Sequence, residues 1–395
     1  MAKRNKVKKP GLLLSGKFDY SIFFITLALL SIGLMMLLSA SAPKAFSEFG
    51  NIYEYVLKQG VLAVVGIVLM LVLAKIDYRI FKKFDWIIYI AVTIVLVLVG
   101  FFGVGENGAR RWINLFGFTF QPSEVAKVGY VIFFASLLTD LKEKNKIQRF
   151  WMGFVLPLVL LLPMVYAIYK LQNHLSATII IAAVTIIQMF IAGTAFKYLG
   201  TTIITGVIAV LTYIIAGLSS PNPDNFRLGR IITWLNIESD LTGTGWQINQ
   251  SLYAIGSGGL FGLGLGQSKQ KYLYLPEAHN DFVFAILSEE LGFIGGFAVI
   301  VLFALFVWRG IVIATKAEDT FGMLVAIGIT SIIGLQALIN IAVVTNTIPV
   351  TGMPLPFFSY GGTAMLVDVA AVGILLSVSR NCKKSTNEKS NRKLY

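Results

Sequence analysis

A chain of 395 residues that is 56% hydrophobic and only 13% charged, with a mean hydropathy of +0.77, is too apolar for an ordinary soluble domain. Its net charge of +13 invites a nucleic-acid reading, but the basic residues cluster between long apolar runs, where they act as topology signals facing anionic headgroups. Cys382 is the single cysteine and excludes an intramolecular disulfide, and two histidines, His174 and His279, without an H-E-x-x-H pattern argue against a zinc enzyme. The absence of a Walker or Rossmann pattern argues against ATP or NAD chemistry.

Apolar runs long enough to cross a bilayer as helices occur at about 19–41, 54–74, 84–104, 121–139, 151–169, 174–192, 198–217, 279–308, 320–345 and 360–379. The first resembles a secretory signal ending at Ala40-Ser-Ala42, but its apolar core is too long for a cleaved signal and predicts a retained span. Ten spans place the basic clusters around Lys3–Lys17, Lys75–Lys83, Lys142–Arg149, Arg309–Lys316 and Arg380–Lys393 on one side, the cytoplasmic side by the positive-inside rule. The expected fold is therefore an all-α polytopic membrane protein of about ten transmembrane helices with both termini cytoplasmic. Residues 1–18 and 380–395 form basic tails around a single membrane domain, 19–379, and one large extracytoplasmic loop, about 218–279, joins spans 7 and 8.

In chain order, the first outward loop, 42–53, carries no evident chemistry. The next holds Arg110, Arg111 and Trp112, two outward arginines against the positive-inside trend, suited to an anionic headgroup or to interfacial snorkelling. Pro122 opens a helix on which Glu124 and Lys127 share a face and can pair, a structural or gating role. His174 stands at the mouth of the sixth span as a cap or hydrogen-bonding residue. In the large loop, Arg227, Arg230 and Trp234 fall at helical spacing and predict a short amphipathic helix on the outer leaflet. The glycines at 243, 245, 256, 258, 259, 262, 264 and 266 predict tight turns able to approach phosphate. Pro276-Glu277-Ala278-His279-Asn280-Asp281 closes the loop, and an acid at the mouth of an apolar helix must face a wet cavity or carry a function. The last outward loop runs from Asn346 through Pro349, Pro354 and Ser359 to Gly361 and Gly362 without a charge, and predicts a rigid re-entrant wall.

Several stretches resemble the SEDS family (shape, elongation, division and sporulation), which includes FtsW, RodA and SpoVE. They are Pro349-Val-Thr-Gly-Met-Pro-Leu-Pro-Phe-Phe-Ser-Tyr-Gly-Gly-Thr363, the Gly-rich run from Ala254 to Gly266, and Leu275 to Gly292 with its Pro-Glu-Ala-His-Asn-Asp and Ser-Glu-Glu-Leu-Gly; Gly108 to Ile113 and Gln121 to Glu124 match as well. The chain departs from the family pattern at Asn173-His174-Leu-Ser176-Ala177 and at Asn346. The resemblance implies ten spans, polymerisation of lipid II into glycan strands, a class B penicillin-binding protein as partner, and Asp281 as the catalytic aspartate. It implies a multi-pass protein of the bacterial cytoplasmic membrane with an extracytoplasmic site.

Pyrophosphate leaves without protonation once its charge is stabilised, so one general base suffices where a glycosidase needs two carboxylates. The expected machinery is Asp281 as base, with Arg110, Arg111, Arg227, Arg230, Glu277, His279 and Ser359 contacting substrate, and Glu124, Lys127, Pro349, Pro354, Gly361 and Gly362 as structural or gating residues. The sequence names no definite cofactor; a divalent cation, Mg2+ or Mn2+, could steady the departing pyrophosphate in place of an arginine. Two other classes remain open at this level: a lipid II flippase and a non-catalytic scaffold for a transpeptidase.

Overall fold

A computed structural model describes residues 17–105, 110–115, 118–219, 226–240, 242–272 and 274–382. The helices are α1 (Tyr20–Phe49), α2 (Glu54–Leu73), α3 (Arg79–Lys83), α4 (Asp85–Phe102), α5 (Pro122–Glu143), α6 (Phe150–Leu171), α7 (Leu175–Ala192), α8 (Phe196–Ser219), α9 (Phe226–Leu235), α10 (Thr244–Gly258), α11 (Val283–Lys316), α12 (Thr320–Val344) and α13 (Gly362–Arg380). Among the described residues nine helices are long and apolar enough to cross a membrane. α5 occupies the expected fourth span, its first turns made more polar by Glu124 and Lys127. The chain is thus a mostly helical, multi-pass membrane protein. One small element falls outside an all-α reading: Ile113–Leu115 pairs antiparallel with Phe118–Phe120, just before α5.

Local sequence sets most boundaries. Asp19 caps α1 by accepting from the Ile22 N–H at 3.2 Å, and Asp319 caps α12 through the Gly322 N–H at 2.7 Å. α1 passes through Pro43, and so absorbs most of the expected first loop, until Gly50 ends it at φ 69°. α6 contains Pro163 and opens into π-helical turns at both ends, the adjustment expected when the i→i−4 ladder is interrupted.

The eighth span differs from expectation. It is not one helix from 279 to 308: α11 bends at Gly292 (φ 67°, ψ −170°), which divides it into two. Residues 283–290 are all buried, whereas Phe293, Ile294 and Phe297 beyond the bend are exposed. The first half is an interior helix, and the lipid-facing span starts at the bend. The large loop also contains α10, a helix the glycine-rich composition concealed. Gly258 is needed inside it because a Cβ there would stand 2.1 Å from the Ser288 carbonyl oxygen.

The uncharged loop between α12 and α13 is buried in protein, with Met353, Leu355, Phe357, Phe358 and Ser359 each at most 4% exposed. Gly33 on α1 lets that loop approach, since a Cβ there would collide with the Phe357 carbonyl oxygen at 2.2 Å. Irregular backbone is thereby kept from lipid, as a re-entrant wall requires.

Candidate active site

Asp281 lies two residues before α11, on a turn closed by the Asn280 N–H to Glu277 carbonyl bond at 3.0 Å. The turn is pinned to the buried loop twice. The Tyr360 N–H donates to the His279 carbonyl at 2.9 Å, and the Asn340 side-chain amide on α12 donates to the carbonyls of Asp281 (2.8 Å) and Met353 (2.7 Å). Gly352 faces the carboxylate: it holds φ at +69°, and a Cβ there would lie 3.5 Å from Asp281 Oδ2. Among the described residues no donor reaches that carboxylate, and Asp281 remains part-accessible.

Two guanidiniums stand in its field. Arg111 donates through Nε to the Gln172 carbonyl (3.0 Å) and through Nη2 to the Asn173 carbonyl (2.6 Å), which anchors it to the mouth of α7. Arg230 on α9 donates through Nη1 to the Val350 carbonyl at 3.0 Å, and Trp234, one turn on, donates to the Asn346 carbonyl at 3.0 Å. α9 therefore docks on the re-entrant loop, a use of its Arg/Trp face that differs from the expected outer-leaflet contact alone. Burial raises the Asp281 carboxyl to about 6, helped by the negative Glu277 and opposed by Arg230 and Arg111. Burial likewise lowers both guanidiniums from their ordinary value, Arg111 being further disfavoured by Arg230 and each favoured by Asp281. These three groups come from sequence positions far apart, and the tertiary fold brings them into one electrostatic unit.

The other expected site residues divide. Glu277, in the left-handed region at φ 54°, pairs with Lys44 at 3.5 Å and accepts from Asn280. His279 is buried with its ring 5.1 Å from that of Tyr55 and 6.1 Å from that of Tyr360; burial, reinforced by Lys44, lowers it to about 4, so it is neutral at pH 7. The Ser359 hydroxyl accepts from the Leu355 N–H at 2.7 Å, inside the loop. Arg110 is exposed and donates to the Phe101 carbonyl at 2.7 Å, with no link to Asp281. The Arg227 side chain lies outside the described residues. Pro349 and Pro354 are half-buried in the loop wall, Gly361 caps α13 and Gly362 begins it.

Glu124 and Lys127 form a buried pair, 2.7 Å apart. Asp368 on α13 lies within their electrostatic reach and is 4% exposed. Sequence reasoning passed over Asp368, although a lone carboxylate inside an apolar run is itself a signal. His174 is buried and felt by both Arg111 and Lys127, which with burial push it down to about 3. A second cluster was also missed. The Glu290 carboxylate accepts from Ser39 Oγ (2.6 Å), Lys271 Nζ (3.0 Å) and the Ser268 N–H (3.3 Å). Glu289 accepts from Ser268 Oγ, the Lys269 N–H (3.0 Å) and the Gln270 N–H (3.4 Å).

Fold and site together define a multi-pass helical membrane protein that holds a part-accessible carboxylate against two tethered arginines beneath an uncharged re-entrant loop. Residues 20–384 match the model of the FtsW/RodA/SpoVE family, described as cell cycle protein. The chain belongs to that family. It is 43% identical over 367 residues to stage V sporulation protein E of Bacillus subtilis, covering 92% of this chain and 97% of that one. It is 39% identical over 379 residues to the probable peptidoglycan glycosyltransferase FtsW of Trichlorobacter lovleyi, covering 95% and 96%. Among solved structures it is similar to a chain described under structural coordination of polymerization and crosslinking by a peptidoglycan synthase complex (TM-score 0.76, 26% identity, 93% and 99% covered). It is also similar to the rod shape determining protein RodA of Thermus thermophilus (TM-score 0.67, 26% identity, 93% and 98% covered).

Proposed function

We propose that this chain is a peptidoglycan glycosyltransferase that joins lipid II disaccharides into glycan strands with Asp281 as general base. The observation that carries the reading is the Asp281 carboxylate itself: part-accessible, without a hydrogen-bond donor among the described residues, and held near Arg111 and Arg230. A carboxyl raised to about 6 is ionised at pH 7 yet basic enough to take a proton from a sugar alcohol in the transition state. The acceptor hydroxyl loses its proton to Asp281 as its oxygen bonds the donor's anomeric carbon. The bond from that carbon to the pyrophosphate oxygen breaks, and undecaprenyl pyrophosphate departs with the electron pair. Arg111 and Arg230, fixed by their carbonyl contacts, match the charge of the leaving group.

Glu277 tunes Asp281, and His279, Ser359, Pro349, Pro354, Gly361 and Gly362 shape the wall around it. Glu124 and Lys127 brace the bundle below. Among the described residues no three His, Cys, Asp or Glu side chains converge as a metal set. Mg2+ bound by one carboxylate and substrate phosphates would make Asp281 both ligand and base. The site lies on the extracytoplasmic face of the bacterial cytoplasmic membrane. A class B penicillin-binding protein cross-links the product, a reading supported by the likeness to a synthase complex of polymerization and crosslinking.

Purified protein given labelled lipid II in detergent, with and without such a partner, tests this reading. Polymer from the wild type and none from Asp281→Asn, at equal folded yield, is the expected result. Full polymerisation by Asp281→Asn removes Asp281 as the base, and no polymer from either protein favours a flippase or scaffold.

A further inference from the structure

The glycine-rich run after α10 alternates large apolar residues with glycines: Leu260, Phe261, Gly262, Leu263, Gly264, Leu265, Gly266. Its inner edge is locked onto α11 at the bend. The Leu263 and Gly264 N–H groups donate to the Glu289 (2.9 Å) and Glu290 (3.0 Å) carbonyls, while the Phe293 and Ile294 N–H groups donate to the Gly259 (2.8 Å) and Leu260 (3.2 Å) carbonyls. The contact is backbone on backbone. A Cβ on Gly262 would stand 2.1 Å from the Glu290 carbonyl oxygen, and one on Gly292 would stand 2.3 Å from the Gly262 nitrogen. These glycines serve close packing rather than a phosphate cradle.

With the inner edge so engaged, the apolar side chains point outward. Leu260, Phe261, Leu263 and Leu265 are between 41% and 81% exposed, Phe261 the most. The same bonds place them beside Phe293, Ile294 and Phe297, the first lipid-facing residues of the span, which are 54–63% exposed. The apolar face continues down α11 through Leu305 and Trp308. A contiguous surface of this size, joined to a transmembrane stripe, needs an apolar solvent. Exposed Tyr272 and Tyr274 follow in sequence, residues suited to the headgroup boundary.

We propose that residues 260–265 are inserted into the hydrocarbon of the leaflet on the Asp281 side, as an anchor beside the span that begins at Phe293. Glu289 and Glu290 tie this backbone to residues 268–271, from which the chain leads to Asp281. Insertion therefore fixes the height of the Asp281 turn relative to the lipid headgroups. That consequence rests on the proposed role of Asp281; the insertion itself does not.

The test uses full-length protein in lipid nanodiscs, in a Cys382→Ser background, with a nitroxide at Phe261→Cys or Leu263→Cys. Phe297→Cys provides the hydrocarbon reference and Ser239→Cys the aqueous one. Collision with oxygen and with a water-soluble nickel chelate is read by power saturation. The expected result is a shift of the oxygen-to-chelate ratio at 261 and 263 to the Phe297 value. A ratio equal to that at Ser239 overturns the proposal. So does protection that arises only when a cross-linking partner is added or protein density is raised, because the face then belongs to a protein. No arm reads polymerisation, so failure here leaves the role of Asp281 untouched.

Discussion

Glu290 and Asp281 sit at opposite ends of one short interior helix, and their surroundings differ in the one respect that matters for chemistry. Glu290 is engaged: an ammonium, a hydroxyl and a backbone N–H converge on its Oε1. Those contacts hold residues 268–271 and α1 against α11. Asp281 has cations in reach but no donor on its carboxylate among the described residues, and part of its surface is open. A carboxylate held by an ammonium, a hydroxyl and an N–H is a fastener, whereas one that no donor reaches, beside tethered guanidiniums, can still exchange a proton. Burial alone does not separate the two roles; engagement by an ammonium and other donors does.

The comparison breaks most visibly at the fastener. Lys271→Met leaves Glu290 buried without its counter-ion and is expected to cost about 3–5 kcal/mol, read as a large drop in thermal midpoint, with part restored by adding Glu290→Gln. Arg230→Gln or Arg111→Gln acts on rate instead, with turnover falling roughly 10²–10³-fold while the thermal midpoint moves little. A stability loss without a rate loss at either arginine would reverse the assignment.

The pH profile sharpens the contrast. Polymerisation should rise as pH passes about 6, where Asp281 ionises. Arg230→Gln removes a positive neighbour and moves the inflection to higher pH; Glu277→Gln removes a negative one and moves it lower. Stability follows the opposite sign. Because the folded carboxyl binds its proton more tightly than the unfolded one, charging it costs stability progressively from about pH 4 to about 6. Asp281→Asn should therefore raise the thermal midpoint above pH 6, by up to about 3 kcal/mol in stability, and lose that advantage below pH 4. The smallest effect is expected at Asp368→Asn, which removes a surplus acid beside an ion pair already made at 2.7 Å and should leave the midpoint nearly unchanged.

Much of the molecule is legible in one dimension because lipid tolerates so few arrangements of backbone and charge. Apolar length located the spans, and the acid before the eighth run marked Asp281. An uncharged, proline-rich segment ending in Gly361-Gly362 could survive near a bilayer only as a buried wall. The same arguments fail where conformation depends on a distant neighbour. α10 was hidden because glycine-rich composition says turn, yet Gly258 is helical to admit the Ser288 carbonyl. The eighth run looked continuous because its bend is set by one residue, Gly292, whose φ is decided by the loop packed against it.

The sequence by itself determined that this chain is a multi-pass helical protein and singled out Asp281 as the candidate base, since desolvation of charge and backbone is a local cost. Only the tertiary structure decided which of the arginines stand near Asp281, and that Glu290 pairs with Lys271. Coulombic coupling and hydrogen bonding between side chains are set by distances in space, and those distances join residues that the chain keeps far apart.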